Sequence, residues 1–585
     1  MYVLGFNFGH NATACLLKDG TIVACLSEER LSGIKNHSGF PLRALEWMLK
    51  REGITARDID LVVFPGAVGP IAMADDDKHG VKAGVRLFSW LYRHIGNAIL
   101  PFPGGDVLYR GLYDRVYWPL KKLFQRPYIA DFDRYGFRPK WVGPDHHLMH
   151  AYSALGTVAP RGPDGWPTDC LVLTCDGEGD LKSATVGVWR NRRYERLAVS
   201  SSHDSIGLLY SAVTEYMGMK PLEHEYKIMG LAPYVSEEWT QKGARLYRDF
   251  LTVDGLQIKG HVPSRCYLAQ LDRTLRHVRF DTIAGGLQRM TENWLLEWVR
   301  NACAATGLRT VVAAGGVMMN VKANGEIARL PMVDYLAVCP SAADESVAMG
   351  CAYYGYAQLQ PDRPFKALDS IYLGLDCGRA EADPVLWKAG NNGFQIQEIE
   401  GREAEVVADL LTAGKIVGRC VGRCEFGARA LGNRTILARP DRPDLVRTLN
   451  EQIKNRDFWM PFAGSILQKG AGEYLEDTEK SYGAHMMIAY PTRPAFRSNL
   501  MAAVHPYDYT MRPQVIGKGQ NPAYEAIIEA CAQRMGTPAV LNTSLNLHGK
   551  PMAGGAEAAF ETFRDSGLQH IVIGPYLLSK EVTAG

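Results

Sequence analysis

Short apolar runs that end in small or acidic residues recur along this chain and limit the folds open to it. Residues 171–175 run into Asp176 and Gly177, 310–314 into Gly315 and Gly316, and 335–339 stop at Pro340. Helical patterns over 205–217 and 287–305 separate them. Strands alternating with helices predict an α/β architecture. In open α/β sheets functional groups gather beyond the carboxyl ends of strands, so these endings are the first places to look.

The N-terminus opens differently. Apolar runs at 2–6, 12–17 and 21–26 are joined by the turns Gly9-His10-Asn11 and Lys18-Asp19-Gly20, which predicts a three-stranded meander. A helix over 41–52 and a strand over 61–64 follow. Residues 67–138, rich in Trp, Tyr and Phe, read as an insertion with helical pieces, either a packing lid or a wall of an acceptor pocket.

At 585 residues the chain exceeds one core, since cores stop growing beyond roughly 250–300 residues. Pro361, Pro364 and the LGLDCG stretch place a boundary near 360–378. The expected units are 1–368 and 380–585, the second again α/β. Its helices are expected at 403–412, 444–452, 524–534 and 556–563, and its strands at 416–421, 539–541 and 571–573. The sequence shows neither an internal repeat nor a low-complexity tract.

The 65 basic and 63 acidic side chains leave a net charge of +2, which argues against a nucleic-acid partner. The first residues lack the basic start of a signal peptide, and Arg93 and His94 interrupt the most apolar stretch. The 12 cysteines are scattered without a metal-type spacing. A cytoplasmic protein with reduced cysteines and no membrane partner is expected.

Asp145-His146-His147-Leu148-Met149-His150 is the sharpest local feature. On a helix His146 and His150 share a face and can grip one metal, while His147 lies about 100° away. Asp176 and Asp344, both near strand ends, would complete a set suited to Fe, Mn or Zn rather than Mg or Ca. The plainer reading makes these aspartates caps or turn residues. Gly177, Gly179, Gly315 and Gly316 follow strands, where backbone amides bind anions. His10 offers an imidazole that can take a proton from a hydroxyl, or simply a hydrogen-bonded turn. Lys35 is open between a site lysine and a solvated charge.

Arg419, Arg423, Arg429, Arg434 and Arg439 crowd one stretch, interleaved with Gly422, Gly427 and Gly432. Guanidinium forks suit phosphate, and a helix starting after Glu425 would add amide donors. Lys454 and Arg456, then Ser544 and Asn546 just past a strand, suit an anhydride or nucleotide.

In combination the motifs SEERLSGIK, HHLMHA, DGEGD, EYKIMGLAPY, GGVMMN, EFGARALGNR, IKNRDFWMPFA, HPYDYTMRPQ and VLNTSLN resemble the NodU-type O-carbamoyltransferases nearly end to end. That family includes nodulation-factor and antibiotic-tailoring enzymes. The resemblance implies an N-terminal actin/sugar-kinase-like (ASKHA) domain of the tRNA threonylcarbamoyl-transfer type and a C-terminal YrdC-like α/β domain. It implies a metal, Fe(II) or else Mn or Zn, on His146, His150, Asp176 and Asp344. Nucleotide contacts in the N-terminal half would come from Gly177, Gly315, Gly316 and Asn320. Carbamoyl phosphate and its adenylate would sit on Arg429, Lys454, Arg456, Arg512, Ser544 and Asn546. His10 would be the base, with Lys35 bridging to the transfer site.

The implied reaction joins carbamoyl phosphate and ATP, with Mg, into carbamoyl adenylate. The carbamoyl group then passes to a hydroxyl of a small-molecule natural product. A homodimer is open. The chain departs from the family pattern at Ala428, Met460 and Gly464, which is expected to alter affinity for carbamoyl phosphate rather than reaction class. The alternatives are an ASKHA-type small-molecule kinase, a tRNA threonylcarbamoyl-type modification enzyme and a non-catalytic metal- and nucleotide-binding regulator.

Overall fold

The computed structural model describes residues 1–66, 95, 99, 105–117 and 140–580. Most of the expected insertion at 67–138 therefore lies outside the described residues. The chain forms two compact units, Met1–Glu28 with Asn36–Leu368, and Glu29–Lys35 with Asp369–Gly585. The short segment Glu29–Lys35, assigned by sequence to the first unit, belongs to the second. Its anchor is Arg30, whose guanidinium donates to the carbonyls of Gly427 at 2.6 Å and Met552 at 3.2 Å.

In the first unit, strands β1 (Tyr2–Asn7), β2 (Thr13–Lys18) and β3 (Thr21–Ser27) form the expected meander. Asp19 and Gly20 both have positive φ, as a two-residue Asp-Gly hairpin turn requires. Strands β4 (Leu61–Val63) and β5 (Lys140–Val142) add in parallel beyond β1, giving the order β3-β2-β1-β4-β5.

A second sheet repeats this plan. Strands β6 (Cys170–Gly179), β7 (Lys182–Arg190) and β8 (Arg193–Ser201) form an antiparallel meander. A small hairpin, β9 (Leu251–Asp254) and β10 (Gln257–Gly260), stands apart. Strands β11 (Thr310–Ala314) and β12 (Tyr335–Val338) then add in parallel beyond β6, giving β8-β7-β6-β11-β12. The doubled order is the actin/sugar-kinase-like arrangement that was expected. The duplication lives in strand connectivity, which needs only matching apolar patterns and not matching residues, so it stands beside a sequence without a repeat.

Two helices join the halves of this unit. Helix His146–Thr157 packs on β6 and β11, and helix Val347–Leu359 packs on β1 and on the first helix. Their crossing is close because Gly350 faces the backbone of Met149, where a Cβ would overlap the Met149 carbonyl oxygen. Since one helix carries the histidines and the other follows Asp344, this crossing sets the spacing of the candidate ligands. Gly350→Ala is expected to destabilise the protein by about 1–3 kcal/mol, the usual range for overpacking, and to weaken metal binding. Denaturant unfolding and metal titration check both; wild-type values for each would remove the crossing from the argument.

In the second unit, the strands are β13 (Gln395–Glu398), β14 (Val417–Cys420), β15 (Arg434–Ala438), β16 (Ala463–Leu467), β17 (Tyr490–Pro491), β18 (Thr510–Met511), β19 (Pro513–Ile516), β20 (Ala539–Ser544), β21 (His570–Ile573) and β22 (Tyr576–Ser579). Eight of them form one mixed sheet in the order β13-β22-β21-β14-β15-β20-β16-β19, and β17 pairs with β18. Both faces are covered. Ile436, Leu541, Ile571 and Ile573 pack in one core, while Leu437, Val540 and Val572 of the same strands pack in another. Period-two alternation between two apolar cores explains why these strands read as nearly continuous apolar runs.

Candidate functional site

The helix that carries HHLMH starts at His146. Asp145 caps it by accepting the Leu148 N–H at 3.0 Å, and Asp180 accepts the His146 N–H at 2.9 Å. Arg196 and Lys182 hold Asp145 in turn. His146 and His150 thereby face the end of β6, where the pairing with β7 shifts between Cys175 and Gly179. That irregularity lifts Asp176 out of the ladder.

The ε2 nitrogens of His146 and His150 lie 3.4 and 3.7 Å from Asp176 Oδ2, and 3.5 and 3.6 Å from Asp344 Oδ1. Ligand atoms held tetrahedrally at about 2.1 Å from a common centre stand about 3.4 Å apart, so the donor set has the spacing of a transition-metal site. All four residues are buried. Among the described residues, His146 Nε2 and both ring nitrogens of His150 have no hydrogen-bond partner. Two imidazoles and two carboxylates fit Fe, Mn or Zn.

Electrostatics point the same way. Burial opposes a charged His146, but Asp344 and Asp176 outweigh it and raise its pKa well above the ordinary value. Burial likewise opposes charge on Asp176, but His146 and His150 hold its carboxyl well below the usual range. The site therefore favours negative oxygens beside positive charge. His147 belongs elsewhere: its ring meets Thr174 Oγ1 at 2.8 Å and the Lys182 carbonyl at 3.2 Å. Burial, with His146 and His150 beside it, pushes its pKa down to about 3.

His10 stands next to this cluster, its Nδ1 3.5 Å from Asp344 Oδ2. Asp344 thus faces the two histidines with one oxygen and His10 with the other. The glycines surround Asp176. Gly315, at φ +104°, packs on the Cys175 carbonyl, and the Gly316 N–H donates to Asp176 Oδ1 at 2.9 Å. The Gly316 amide therefore serves the carboxylate, while a Cβ on Gly177 would meet the Leu208 side chain at 3.6 Å, an ordinary contact. Asn320 is a helix cap: its Oδ1 accepts the Ala323 N–H at 3.1 Å, and its amide pairs with Gln288.

The second unit gathers the other candidates. Lys454, 2% exposed, donates to the Ser544 carbonyl, to Ser544 Oγ at 3.2 Å, to the Asn546 carbonyl at 3.1 Å and to Asn546 Oδ1 at 2.7 Å. Burial, Arg456 and Lys35 push its pKa well below the ordinary lysine value. Burial, Arg429 and Arg456 do the same to Arg512, whose Nε is buried without a hydrogen-bond partner among the described residues. Lys35, Arg429, Lys454, Arg456 and Arg512 are thus linked by mutual repulsion, a setting that an anion relieves.

Comparison with known families decides the assignment. The family model described as Carbamoyltransferase N-terminus matches residues 3–78 and 133–353, and that described as Carbamoyltransferase C-terminus matches residues 408–580. The chain belongs to the carbamoyltransferase family. Nodulation protein NolNO of Sinorhizobium fredii is 29% identical to this carbamoyltransferase over 99% of the chain and 80% of that protein. Nodulation protein NolO of Bradyrhizobium diazoefficiens is 30% identical, over 74% and 79%. Nodulation protein U of Rhizobium tropici is 30% identical, over 100% and 97%. A full-length HypF in phosphate- and nucleotide-bound form aligns at TM-score 0.32 and 11% identity, over 62% of this chain and 56% of that one, a likeness too remote to argue from.

In this carbamoyltransferase the arginine-rich stretch differs from expectation. No helix starts after Glu425; residues 421–433 form a loop. The buried Glu425 organises it, accepting the N–H groups of Leu431 at 2.6 Å, Asn433 at 3.3 Å and Arg434 at 3.2 Å. Arg434 is fully buried and donates to the carbonyls of Leu375, Val421, Gly422, Asn433 and Gly554. Arg419 pairs with Glu403, Arg423 binds the carbonyls of Leu373 and Gly374, and Arg439 pairs with Asp441. Four of the five arginines thus hold the fold, and Arg429 alone joins the basic group. The sequence reading missed Glu425 and Arg30; an acid alone in a glycine-rich arginine loop was the available signal for the first.

Proposed function

We propose that the protein is an ATP-dependent O-carbamoyltransferase that works through carbamoyl adenylate. The observation that carries this reading is the group of mutually repelling cations in the second unit, with Lys454 gripped by Ser544 and Asn546. Carbamoyl phosphate and ATP together bring negative charge that offsets the repulsion within such a group. Release of phosphate from carbamoyl phosphate by water leaves carbamate. Its oxygen then displaces pyrophosphate from the α-phosphorus of ATP. The products are carbamoyl adenylate, pyrophosphate and orthophosphate. Lys454, Arg456 and Arg512 would hold the phosphates and offset charge as it moves.

The first unit would use the adenylate. An acceptor hydroxyl attacks the carbamoyl carbon, the bond to the AMP oxygen breaks, and the hydroxyl proton leaves. With Nδ1 turned toward Asp344, His10 presents Nε2 as the basic nitrogen that takes this proton. His146, His150, Asp176 and Asp344 would hold the metal, Fe(II) or else Mn or Zn, which when bound supplies Lewis-acid neutralisation of charge on the departing phosphate. Gly177 would let a nucleotide approach.

A small-molecule acceptor is supported by the described piece of the insertion. Helix Gly105–Leu112 and the turn Tyr113–Tyr117 lie between the matched stretches of the N-terminal family model. Tyr113 donates to Glu178 at 2.8 Å, beside Asp176. A segment outside the shared core that touches the reacting end of β6 is suited to acceptor choice.

The test is a mass-spectrometric product assay with ATP, carbamoyl phosphate and Mg²⁺, without acceptor. Carbamoyl adenylate or AMP with pyrophosphate is expected. ADP as the nucleotide product, or no turnover with iron added, would overturn the reading.

A further inference from the structure

We propose that Glu345 is a positioning residue that locks the turn carrying His10 to the segment supplying Asp344. The proposal rests on the reading of His10 as the base. The turn between β1 and β2 is organised internally by Asn7. Its Nδ2 donates to the carbonyls of His10 at 3.0 Å and Asn11 at 3.3 Å, and its Oδ1 accepts the Gly9 N–H at 3.3 Å. These bonds set the shape of the turn. They do not set its place relative to the cluster formed by residues more than a hundred positions further along the chain.

Asn11 does that. It sits at φ +58°, and its Nδ2 donates to Glu345 Oε2 at 3.0 Å. Glu345 is buried, and its other oxygen accepts the Ser341 hydroxyl. Two adjacent acids thus face two adjacent turn residues, Asp344 toward His10 and Glu345 toward Asn11. The His10–Asp344 approach is 3.5 Å and the imidazole side chain is 27% exposed, too loose a contact to orient the ring alone. The Asn11–Glu345 bond is a 3.0 Å amide–carboxyl hydrogen bond in a part-buried setting, which makes it the tighter tether. Displacing a reacting group by about 1 Å can lower a rate about 100-fold, so such a tether matters to transfer.

The test reverses the bond. Asn11→Asp sets two carboxylates against each other. Glu345→Gln replaces an acceptor by an amide, and an amide flip at Asn11 can restore the pair. The double variant rebuilds one N–H···O bond with its direction reversed. Hydrogen exchange of the amides at residues 8–12 is expected to quicken at least about tenfold in Asn11→Asp. In the double variant it should return to within about threefold of wild type. In protein carrying ¹⁵N-labelled histidine, His10 should show one tautomer in wild type and the double variant, and a mixture in Asn11→Asp. An unchanged Asn11→Asp turn, or a double variant no better than the single, overturns the proposal. Pyrophosphate release from ATP and carbamoyl phosphate, which belongs to the second unit, should be equal in all four proteins; its absence from wild type would count against the functional reading and leave the exchange result to judge Glu345.

Discussion

His150→Ala is expected to lower affinity for Fe(II), Mn(II) or Zn(II) by more than about 100-fold, whereas His147→Ala leaves metal stoichiometry unchanged. The loss of a residue behind a ligand already weakens metal binding about 10–100-fold, so loss of a ligand should exceed that. His150 is buried, both its ring nitrogens lack hydrogen-bond partners among the described residues, and its Nε2 faces Asp176 and Asp344 at 3.7 and 3.6 Å. Its other ring contacts among the described residues are edge-on ones with His146 and His147. His147, one turn position from each neighbour's face, binds Thr174 and the Lys182 carbonyl instead. Removal of His147 takes a partner from the part-buried Lys182 carbonyl and leaves the Thr174 hydroxyl with Thr185, at a stability loss of about 1–3 kcal/mol. Calorimetric metal titration and denaturant unfolding of the two variants give opposite patterns if the assignment holds. Metal binding retained in His150→Ala would end the case for this centre.

Lys454→Met is expected to reduce AMP formation from ATP and carbamoyl phosphate by at least about 100-fold, in the range seen when one donor to a developing charge is removed. The ammonium is the hub of four oxygens on Ser544 and Asn546. Its removal takes away a cation and also the element that orders those groups. Ser544→Ala, which keeps the carbonyl contacts, should lose less, and that gradient separates the two contributions. The pH dependence has a definite sign. Burial, Arg456 and Lys35 lower the pKa of Lys454, so it loses its proton at lower pH than an ordinary lysine. The rate should therefore fall on the alkaline side, beginning below pH 10.5, and bound polyanion should shift the fall upward. A profile flat through that range in the wild type would show that the proton on Lys454 is not needed.

Much of this architecture was legible because burial forces the sequence into period. Strand Thr310–Ala314 and helix Glu403–Thr412 lie where their apolar spacing predicts them, and His146 and His150 share a face because helix geometry leaves no choice. What sequence could not convey is who meets whom across long separations. Arg434 and Arg419 read as phosphate ligands because a guanidinium fork fits a phosphate and a pair of carbonyls equally well; only burial tells which is present. Asn320 reads as a ligand contact and serves as a cap, since the same amide does either. The repeated strand order leaves no repeated residues to find. Glu345 looks like a neighbour of Asp344 until the fold brings Asn11 to it.

The anchoring of Arg30 bears on how such a gene can be cut and recombined. The second unit recruits Glu29–Lys35 from near the start of the chain, and Arg30 fills the carbonyls of Gly427 and Met552 there. A fragment beginning at Asp369 would lack that guanidinium, and one ending at Leu368 would carry it without those carbonyls. The two units are therefore not cassettes separable by one cut. A chimera that exchanges everything before residue 369 must bring an Arg30 matched to the loop it enters.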